Sequence, residues 1–278
     1  PLDENVIWAG TDDGNVQITR DGGKTWTNVV ANVQGLPKNT LVHHIEASVF
    51  GKGTAYVTFE GHMKGDFNPY VYKTTDYGAT WTSLVTPDIT GFARNVQEDY
   101  ENQNLLYLGT ETGLFITIDG GKSWLKFTNN MPAVPVHFID LHRKTNDLVL
   151  ATHGRGIIIV DDISPLRQLN AETLGKDLYF FKTAPTAISE ANGFGGTATE
   201  TQFVGANPTT SARIIYHLKR KHNLGKMTLE IRDKEGNVLS ELTPGKSKGI
   251  NVVEWNYTIK PPKIASGKTF SFGGFTAS

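Results

Sequence analysis

An eight-residue pattern occurs three times in the first half of this 278-residue chain, and it limits the possible folds more than any other feature. It reads TRDGGKTW at 19–26, TTDYGATW at 74–81 and TIDGGKSW at 117–124. The tryptophans are 55 and 43 residues apart. Spacings of this size are typical of four-stranded propeller blades, with an insertion in the longer unit.

The chemistry of the pattern is that of a tight turn. An aspartate side chain accepts hydrogen bonds from the amides of its own turn, and glycine adopts the positive φ that the corner needs. The tryptophan is expected to bury its ring between neighbouring sheets. We therefore predict structural and not catalytic roles for Asp21, Trp26, Asp76, Trp81, Asp119 and Trp124.

Strand-like segments surround each turn. Apolar runs that end in threonine predict one buried strand per unit, at 7–11, 55–58, 106–110 and 149–152. Three units add a preceding strand, at 42–47, 93–98 and 136–141. The fourth unit keeps Asp162, but Pro165 soon follows, and proline cannot continue a strand ladder. Residues 1–165 thus predict three full blades and one truncated blade of a larger propeller, whose missing blades are expected to precede Pro1.

The second half has a different character. Residues 166–208 are predicted to be a connector, with a loop rich in Gly, Thr and Ala at 190–207. Alternating apolar positions then predict strands at 212–218, 227–232, 238–242 and 250–255. Their spacing is similar to that of an immunoglobulin-like (Ig-like) β-sandwich, at 209–278, in which the last strands, near Phe270 and Phe272, are incomplete. The predicted fold class is all-β, a partial propeller of about four blades followed by this sandwich.

Composition excludes several functions. The 27 Lys and Arg balance 28 Asp and Glu, whereas a polybasic nucleic-acid binder needs a cationic excess. No apolar run approaches the roughly 18 residues of a membrane helix. The absence of cysteine excludes thiol catalysis, disulfides and thiolate metal sites. Because phosphate-binding loops, dinucleotide loops and spaced histidine pairs are also lacking, no cofactor and no metal are predicted.

The turns that join the second and third strands of each unit are the candidate ligand site. If the repeated turns join strands three and four, these other turns share the opposite face of the propeller. Such a face could bind sugar hydroxyls, cations or a peptide, although polar residues are also simply what exposed turns require. The candidate residues are Asp12, Asp13, Glu60, His62, Asp66, Glu111, His153 and Arg155.

Residues 5–163 resemble the Asp-box (bacterial neuraminidase repeat) propellers of the sortilin and xyloglucanase-type glycosyl hydrolase group. The eight-residue pattern matches the box Ser/Thr-x-Asp-x-Gly-x-Thr-Trp, and the run 148–169 is similar to the last blade of bacterial secreted members. The resemblance implies an extracellular, cell-surface or periplasmic location. It also implies glycoside hydrolysis, but no Arg-Ile-Pro motif of the sialidase type precedes the boxes.

These observations favour a secreted or cell-surface binding or interaction module with a glycan or protein ligand, and they assign no catalytic residue. One alternative is a glycoside hydrolase whose catalytic carboxylates lie on the ligand face. Another is a docking component of a bacterial surface or secretion assembly. The missing N-terminal blades of the same precursor are expected as partners, and nucleic acid is not.

Overall fold

The structure is a computed structural model, and it describes residues 2–183, 185 and 211–259. Within them the chain forms nineteen strands and two short α-helices. The chain divides into two compact units, Pro1–Asn170 and Ala171–Ser278. No helix in the described residues has the length and apolarity to cross a membrane. The loop predicted at 190–207 and the last predicted strands, near Phe270 and Phe272, lie outside the described residues.

Four antiparallel sheets follow one another along the first unit, and the strands of each sheet are in chain order. The first sheet consists of β1 (Ile7–Gly10), β2 (Val16–Thr19) and β3 (Thr27–Asn28). The second consists of β4 (Leu41–Ala47), β5 (Ala55–Gly61), β6 (Asp66–Thr74) and β7 (Thr82–Ser83). The third consists of β8 (Ala93–Glu98), β9 (Leu106–Thr110), β10 (Gly113–Thr117) and β11 (Leu125–Lys126). The fourth consists of β12 (Val136–His142), β13 (Asp147–Thr152) and β14 (Ile157–Val160).

The sheets stack face to face, with an apolar layer between each successive pair. Val71 and Leu84 of the second sheet, for example, pack with Leu108 and Trp124 of the third. Similar layers join the first sheet to the second and the third to the fourth. The innermost strands β4, β8 and β12 lie side by side. This is the arrangement of successive propeller blades, and it confirms the all-β fold that the repeats predict.

Burial along the strands follows from this stacking. Strands β5, β9 and β10 of the middle sheets are buried at every position, as expected for strands covered on both faces. In β14 exposed and half-buried residues alternate, and in β1 only the central residues are partly covered. Among the described residues, the first and fourth sheets therefore each have one face packed against a neighbouring sheet and one face open to solvent.

The prediction of three full blades is corrected to two four-stranded and two three-stranded sheets. The first sheet lacks an inner strand in the described residues, as the sequence predicts. The fourth lacks an outer strand there, because Asp162 adopts a positive φ of 50° and Pro165 lies in the first turn of helix α1 (Ser164–Arg167). The chain leaves the sheet where the repeated pattern fails.

Each of the three repeat turns (19–26, 74–81 and 117–124) has the same internal pattern of hydrogen bonds. In the first turn, Oδ1 of Asp21 accepts from the Thr19 hydroxyl at 2.8 Å and from the Thr25 amide at 2.9 Å. Its Oδ2 accepts from the Thr25 hydroxyl at 2.7 Å. The Thr19 oxygen in turn accepts from the amide of Gly23 at 2.9 Å. The same bonds recur in the other two turns, so both oxygens of each aspartate are used within its own turn.

These bonds make the stability of the turns depend on pH. Hydrogen bonds from the Thr25 hydroxyl and amide and from the Thr19 hydroxyl lower the pKa of Asp21 from 3.8 to about 2. A lowered pKa means that the folded state favours the carboxylate, so its contribution is complete above about pH 4 and is lost as the pH falls towards 2. We expect Asp21→Asn to be less stable than wild type at pH 6 and the difference to shrink towards pH 2. Urea unfolding across this pH range measures it, and a constant difference would contradict the assignment.

The tryptophan that ends each repeat turn has two different environments. Trp81 and Trp124 are buried, and Nε1 of Trp124 donates to the carbonyl of Leu84 in the preceding sheet at 2.9 Å. Trp26 is 44% exposed and donates instead to Gly23 of its own turn. The prediction that all three rings lie between sheets is thus wrong for Trp26, because no described sheet packs against that face of the first sheet.

A buried ion pair fixes helix α1 to the third sheet. Nε of Arg167 lies 2.9 Å from both carboxylate oxygens of Asp99, whose side chain is fully buried. The guanidinium of Arg167 also lies over the ring of Tyr100, 4.3 Å from its centroid. Asp99 accepts the amides of Glu101 and Asn102 as well. One carboxylate therefore holds both its own turn and the end of the first unit.

In its described residues, the second unit contains helix α2 (Ala171–Gly175) and two sheets. One sheet has the order β15 (Leu178–Phe180), β16 (Ala212–Leu218) and β19 (Gly249–Trp255), and the other is the hairpin of β17 (Leu229–Arg232) and β18 (Val238–Leu242). The sequence places residues 178–180 in the connector 166–208. In the structure they pair with β16, because the aromatic residues of this Leu-Tyr-Phe run favour a strand. The Ig-like sandwich stays a prediction.

Candidate functional site

The turns between the second and third strands of the blades lie at the end of the sheets where β4, β8 and β12 begin. Backbone bonds tie them to these strands: the amide of Val42 donates to Thr11, that of Glu111 to Phe92 and that of His153 to Pro135. We call residues 11–15, 60–66, 111–112 and 153–156, with the first residues of β4, β8 and β12, the turn face. This face carries all eight predicted ligand residues, namely Asp12, Asp13, Glu60, His62, Asp66, Glu111, His153 and Arg155.

Each inner strand carries a β-bulge near its start. One residue in each of these strands has no partner in the ladder with the neighbouring strand. This residue is His43 in β4, Arg94 in β8 and His137 in β12. A bulge takes the extra residue out of the regular alternation of the strand and changes the direction of its side chain. The same backbone feature, repeated in three sheets, thus brings three basic side chains to the turn face.

Arg94 links the second and third sheets at this face. Its Nη1 donates to Oε2 of Glu60 at 3.0 Å, and its Nη2 donates to Oε2 of Glu111 at 3.2 Å. The Glu60 side chain is only 5% exposed, lies 3.5 Å from Nε2 of His43, and contacts Nδ1 of His62. A carboxylate so deeply buried requires charged or hydrogen-bonding partners. Glu60 is therefore the centre of a polar cluster that extends over two sheets.

The fourth sheet adds two histidines to this cluster. The rings of His137 and His153 stack with their centroids 5.3 Å apart. Burial lowers the pKa of His137, and the charge of Arg94 lowers it further. Burial likewise lowers the pKa of His43, against the opposing attraction of Glu60. His137 and His43 are thus biased towards the neutral form, which can donate and accept hydrogen bonds.

An aromatic group lies beside the cluster. The ring of His62 stacks on Phe92 with centroids 5.0 Å apart, and the Arg94 guanidinium lies 4.8 Å from the centroid of the same ring. Phe67 packs against Phe92 at 6.2 Å. The insertion in the second sheet extends the hairpin of β5 and β6 here. It leaves Met63 85% exposed and Phe67 63% exposed, which gives the turn face a protruding apolar tip.

A cavity of about 250 Å³ lies between the first turn and this hairpin. Its lining combines carboxylates with a lysine, a histidine and apolar side chains, and consists of Asp12, Asp13, Asn39, Leu41, Glu60, Gly61, His62, Met63 and Lys64. A hydrogen bond from the Thr11 hydroxyl lowers the pKa of Asp13, so this carboxylate is ionised at neutral pH. Pockets for whole small molecules have volumes of about 300–1,000 Å³, so this one suits a protruding part of a larger ligand.

Some predicted residues do not join the cluster. The carboxylate of Asp66 accepts from the Tyr70 hydroxyl at 2.7 Å and from Asn68, within its own hairpin. Asp12 and Arg155 are exposed, and neither forms an ion pair with a described residue. No group of His, Asp and Glu suitable for a metal ion occurs in the part of the chain that the structure describes.

Arg94, His43 and His137 are the functional candidates that the turn-based prediction missed. A signal for them exists in the sequence. Each of the three first strands contains a small apolar residue followed by a basic one, Val-His at 42–43, Ala-Arg at 93–94 and Val-His at 136–137. The repeat of this pair at equivalent positions marks the bulges.

No protein-family model matches the sequence, and neither does any curated protein. Among solved structures, the chain is similar to YCF48 bound to D1 peptide, with 18% identity, a TM-score of 0.43, and coverage of 58% of this chain and 48% of that one. It is also similar to the GH74 xyloglucanase from Xanthomonas campestris, with 17% identity, a TM-score of 0.42, and coverage of 59% and 27%. The Niastella koreensis GH74 enzyme is 13% identical, with a TM-score of 0.45 and coverage of 77% of this chain and 34% of that one. The chain spans less than half of each of these proteins.

Proposed function

We propose that the first unit is a binding or interaction module that holds a protein or glycan ligand on its turn face. The observation that carries the proposal is the combination of a fixed polar cluster, Glu60–Arg94–Glu111, with an exposed apolar tip formed by Met63 and Phe67. Macromolecular interfaces combine such an apolar anchor with polar groups around it. The small cavity between them accepts one protruding group of the ligand.

The proposal includes finer assignments that follow the sequence resemblance. The repeat turns are Asp-boxes of the sortilin and xyloglucanase-type group, the second unit is an Ig-like appendage, and the protein acts outside the cytoplasm in a bacterium. The hydrogen bonds around Asp21 support the first of these, since they are the bonds that an Asp-box turn requires.

One observation favours the hydrolase alternative. Glu60 and Glu111 both bind the guanidinium of Arg94, so two carboxyl groups lie near each other, as glycoside hydrolysis requires, and Glu60 lines the cavity. A glycosidase also needs one carboxyl that keeps its proton. Glu98, whose pKa burial raises, is at the opposite end of β8 and binds the Tyr56 hydroxyl, away from this cavity. Binding without turnover is therefore the better supported function.

Binding of the purified chain to peptide and glycan arrays tests the proposal. We expect a ligand on one of the arrays, and we expect the double variant Met63→Ser/Phe67→Ser to lower its affinity by at least about tenfold, because anchor side chains each contribute more than about 1 kcal/mol. Both side chains are largely exposed, so the variant retains its fold.

Leu125→Ser is the matched control, since this residue is 75% exposed on the outer strand β11 and lies away from the turn face. Its affinity is expected to equal that of wild type. Equal loss in both variants, or no ligand on either array, contradicts the proposal. If wild type releases reducing ends from a polysaccharide and Glu60→Gln abolishes this activity, the binding proposal is replaced by the hydrolase alternative.

A further inference from the structure

Two cavities adjoin beside the turn 11–15 and share a wall. The cavity of about 250 Å³ described above lies between this turn and the hairpin of β5 and β6, and we call it the hairpin cavity. A larger cavity of about 380 Å³ lies between the same turn and the segment 30–39, which leads from the first sheet to the second. We call it the loop cavity. Asp13 and Asn39 line both cavities.

The loop cavity is formed by the packing of the first sheet on the second, not by the open face of the first sheet. Val33 and Leu36 line it and belong to the apolar layer that contains Phe59 of the second sheet. Its opposite wall is held close to the backbone. A Cβ added to Gly14, which has a φ of 91°, would lie 2.7 Å from the carbonyl oxygen of Thr40. The cavity therefore has a fixed shape before a ligand binds.

The walls of the loop cavity are mostly hydrocarbon and include no aromatic ring among the described residues. The apolar lining residues are Val30, Ala31, Val33, Leu36 and Pro37. A sugar ring placed here would bury hydroxyl groups without hydrogen-bond partners, which is costly. An apolar side chain instead gains from leaving water. Lys38 also lines this cavity, and its charge disfavours a basic side chain there.

The hairpin cavity has an excess of negative charge. Asp12, Asp13 and Glu60 line it together with Lys64. Glu60 is already paired with Arg94 at 3.0 Å. Two carboxylates, Asp12 and Asp13, then face the single charge of Lys64. A positively charged ligand group is therefore favoured in this cavity.

The rest of the hairpin cavity suits the hydrocarbon stem of a basic side chain. Leu41 and Met63 provide apolar walls, and lysine and arginine bury their stems on such surfaces while the charged end stays with polar groups. Asp13 can receive that charged end. The Thr11 hydroxyl and the Asn15 amide group both donate to its Oδ1, so Oδ2 has no side-chain donor among the described residues.

We propose that the ligand of the turn face is an extended peptide with an apolar side chain in the loop cavity and a lysine or arginine in the hairpin cavity. This inference rests on the proposed function and names its ligand class. Alternate side chains of an extended peptide lie on the same side, about 7 Å apart. Such a pair can fill two cavities that share one wall. The recognised motif is therefore an apolar and a basic residue separated by one residue.

Selection from a random dodecapeptide display library on the immobilised full chain tests this inference. We expect the motif to be enriched. The selected peptide is then synthesised, and its affinity is measured by fluorescence anisotropy. Asp12→Asn/Asp13→Asn is expected to weaken binding at least about tenfold, because a charge-assisted hydrogen bond is lost. The same peptide with norleucine at the basic position is expected to bind this variant and wild type equally.

Ala31→Trp tests the loop cavity separately. Ala31 is exposed at the cavity wall, so the larger ring fills the cavity without entering the core. Wild type is expected to prefer the selected peptide over a form with alanine at the apolar position, and the variant is expected to lose this preference. Circular dichroism establishes that each variant is folded.

Asp161→Asn is the matched control for the loss of negative charge. Asp161 is exposed and follows β14, at the end of this strand away from the turn 153–156. Its affinity for the selected peptide is expected to equal that of wild type, and an equal loss in Asp161→Asn and Asp12→Asn/Asp13→Asn contradicts the inference.

The remaining outcomes separate this inference from the proposed function. Selected peptides without the motif, an arginine preference that survives Asp12→Asn/Asp13→Asn, or a leucine preference that survives Ala31→Trp each overturn the inference and leave the binding function in place. A ligand on the glycan array alone does the same. Absence of any ligand in the library and on both arrays contradicts the proposed function itself.

Discussion

Trp124→Ala is expected to lower the free energy of unfolding of the first unit by about 3–5 kcal/mol, the usual cost of removing a buried tryptophan. The ring is 2% exposed between the second and third sheets, and its Nε1 donates to Leu84. Truncation leaves a cavity in the layer between two blades and an unpaired carbonyl. Trp26→Ala, at the same position of the repeat, is expected to cost about 1 kcal/mol or less, because its ring is already half in solvent.

Urea unfolding followed by far-UV circular dichroism measures both variants. The pair is its own control, since residue type, turn and hydrogen-bonding group are the same. Equal destabilisation by the two replacements would contradict the environments described for these rings.

Arg167→Met is expected to destabilise the first unit by about 3–5 kcal/mol, because it leaves the charge of Asp99 buried without its partner. The Asp99 side chain is fully buried and that of Arg167 is 7% exposed, so water cannot replace the lost guanidinium. The double variant Asp99→Asn/Arg167→Met is expected to recover part of the loss. The amide is neutral, and its oxygen still accepts the amides of Glu101 and Asn102.

Lys52→Met is the control for this prediction, since Lys52 and Asp3 form an ion pair in which the lysine side chain is 57% exposed. Exposed pairs contribute little, and no resolvable change in the urea midpoint is expected. Two outcomes contradict the role assigned to the ion pair. One is an equally small loss of stability in Arg167→Met and Lys52→Met. The other is a double variant Asp99→Asn/Arg167→Met that is less stable than Arg167→Met alone.

The repeat turns show what local sequence can predict. All hydrogen bonds of Asp21 within its turn join residues no more than four positions apart. A pattern of eight residues contains every donor and acceptor of such a network, so the structural role of the aspartate follows from the sequence alone. The order of strands in each sheet follows for a similar reason, because short turns between apolar runs give antiparallel neighbours.

The polar cluster of the turn face shows where local sequence is insufficient. Arg94 lies 34 residues from Glu60 and 17 from Glu111, and it reaches both only because β8 has a bulge at this residue. A bulge changes which side chains meet without changing the apolar alternation around it. The turns could therefore be assigned to one face, but the apolar alternation by itself does not identify the basic residue that joins their carboxylates.

The amino-acid sequence by itself determined the class of fold, the number of repeated units and the internal chemistry of their turns, because these depend on contacts between near neighbours. Only the tertiary structure decided which equivalent residues are covered. Trp26 and Trp124 occupy the same place in the same pattern, yet one ring is 44% exposed and the other 2%. Burial depends on whether another sheet packs against the residue, and that neighbour is specified by distant parts of the chain.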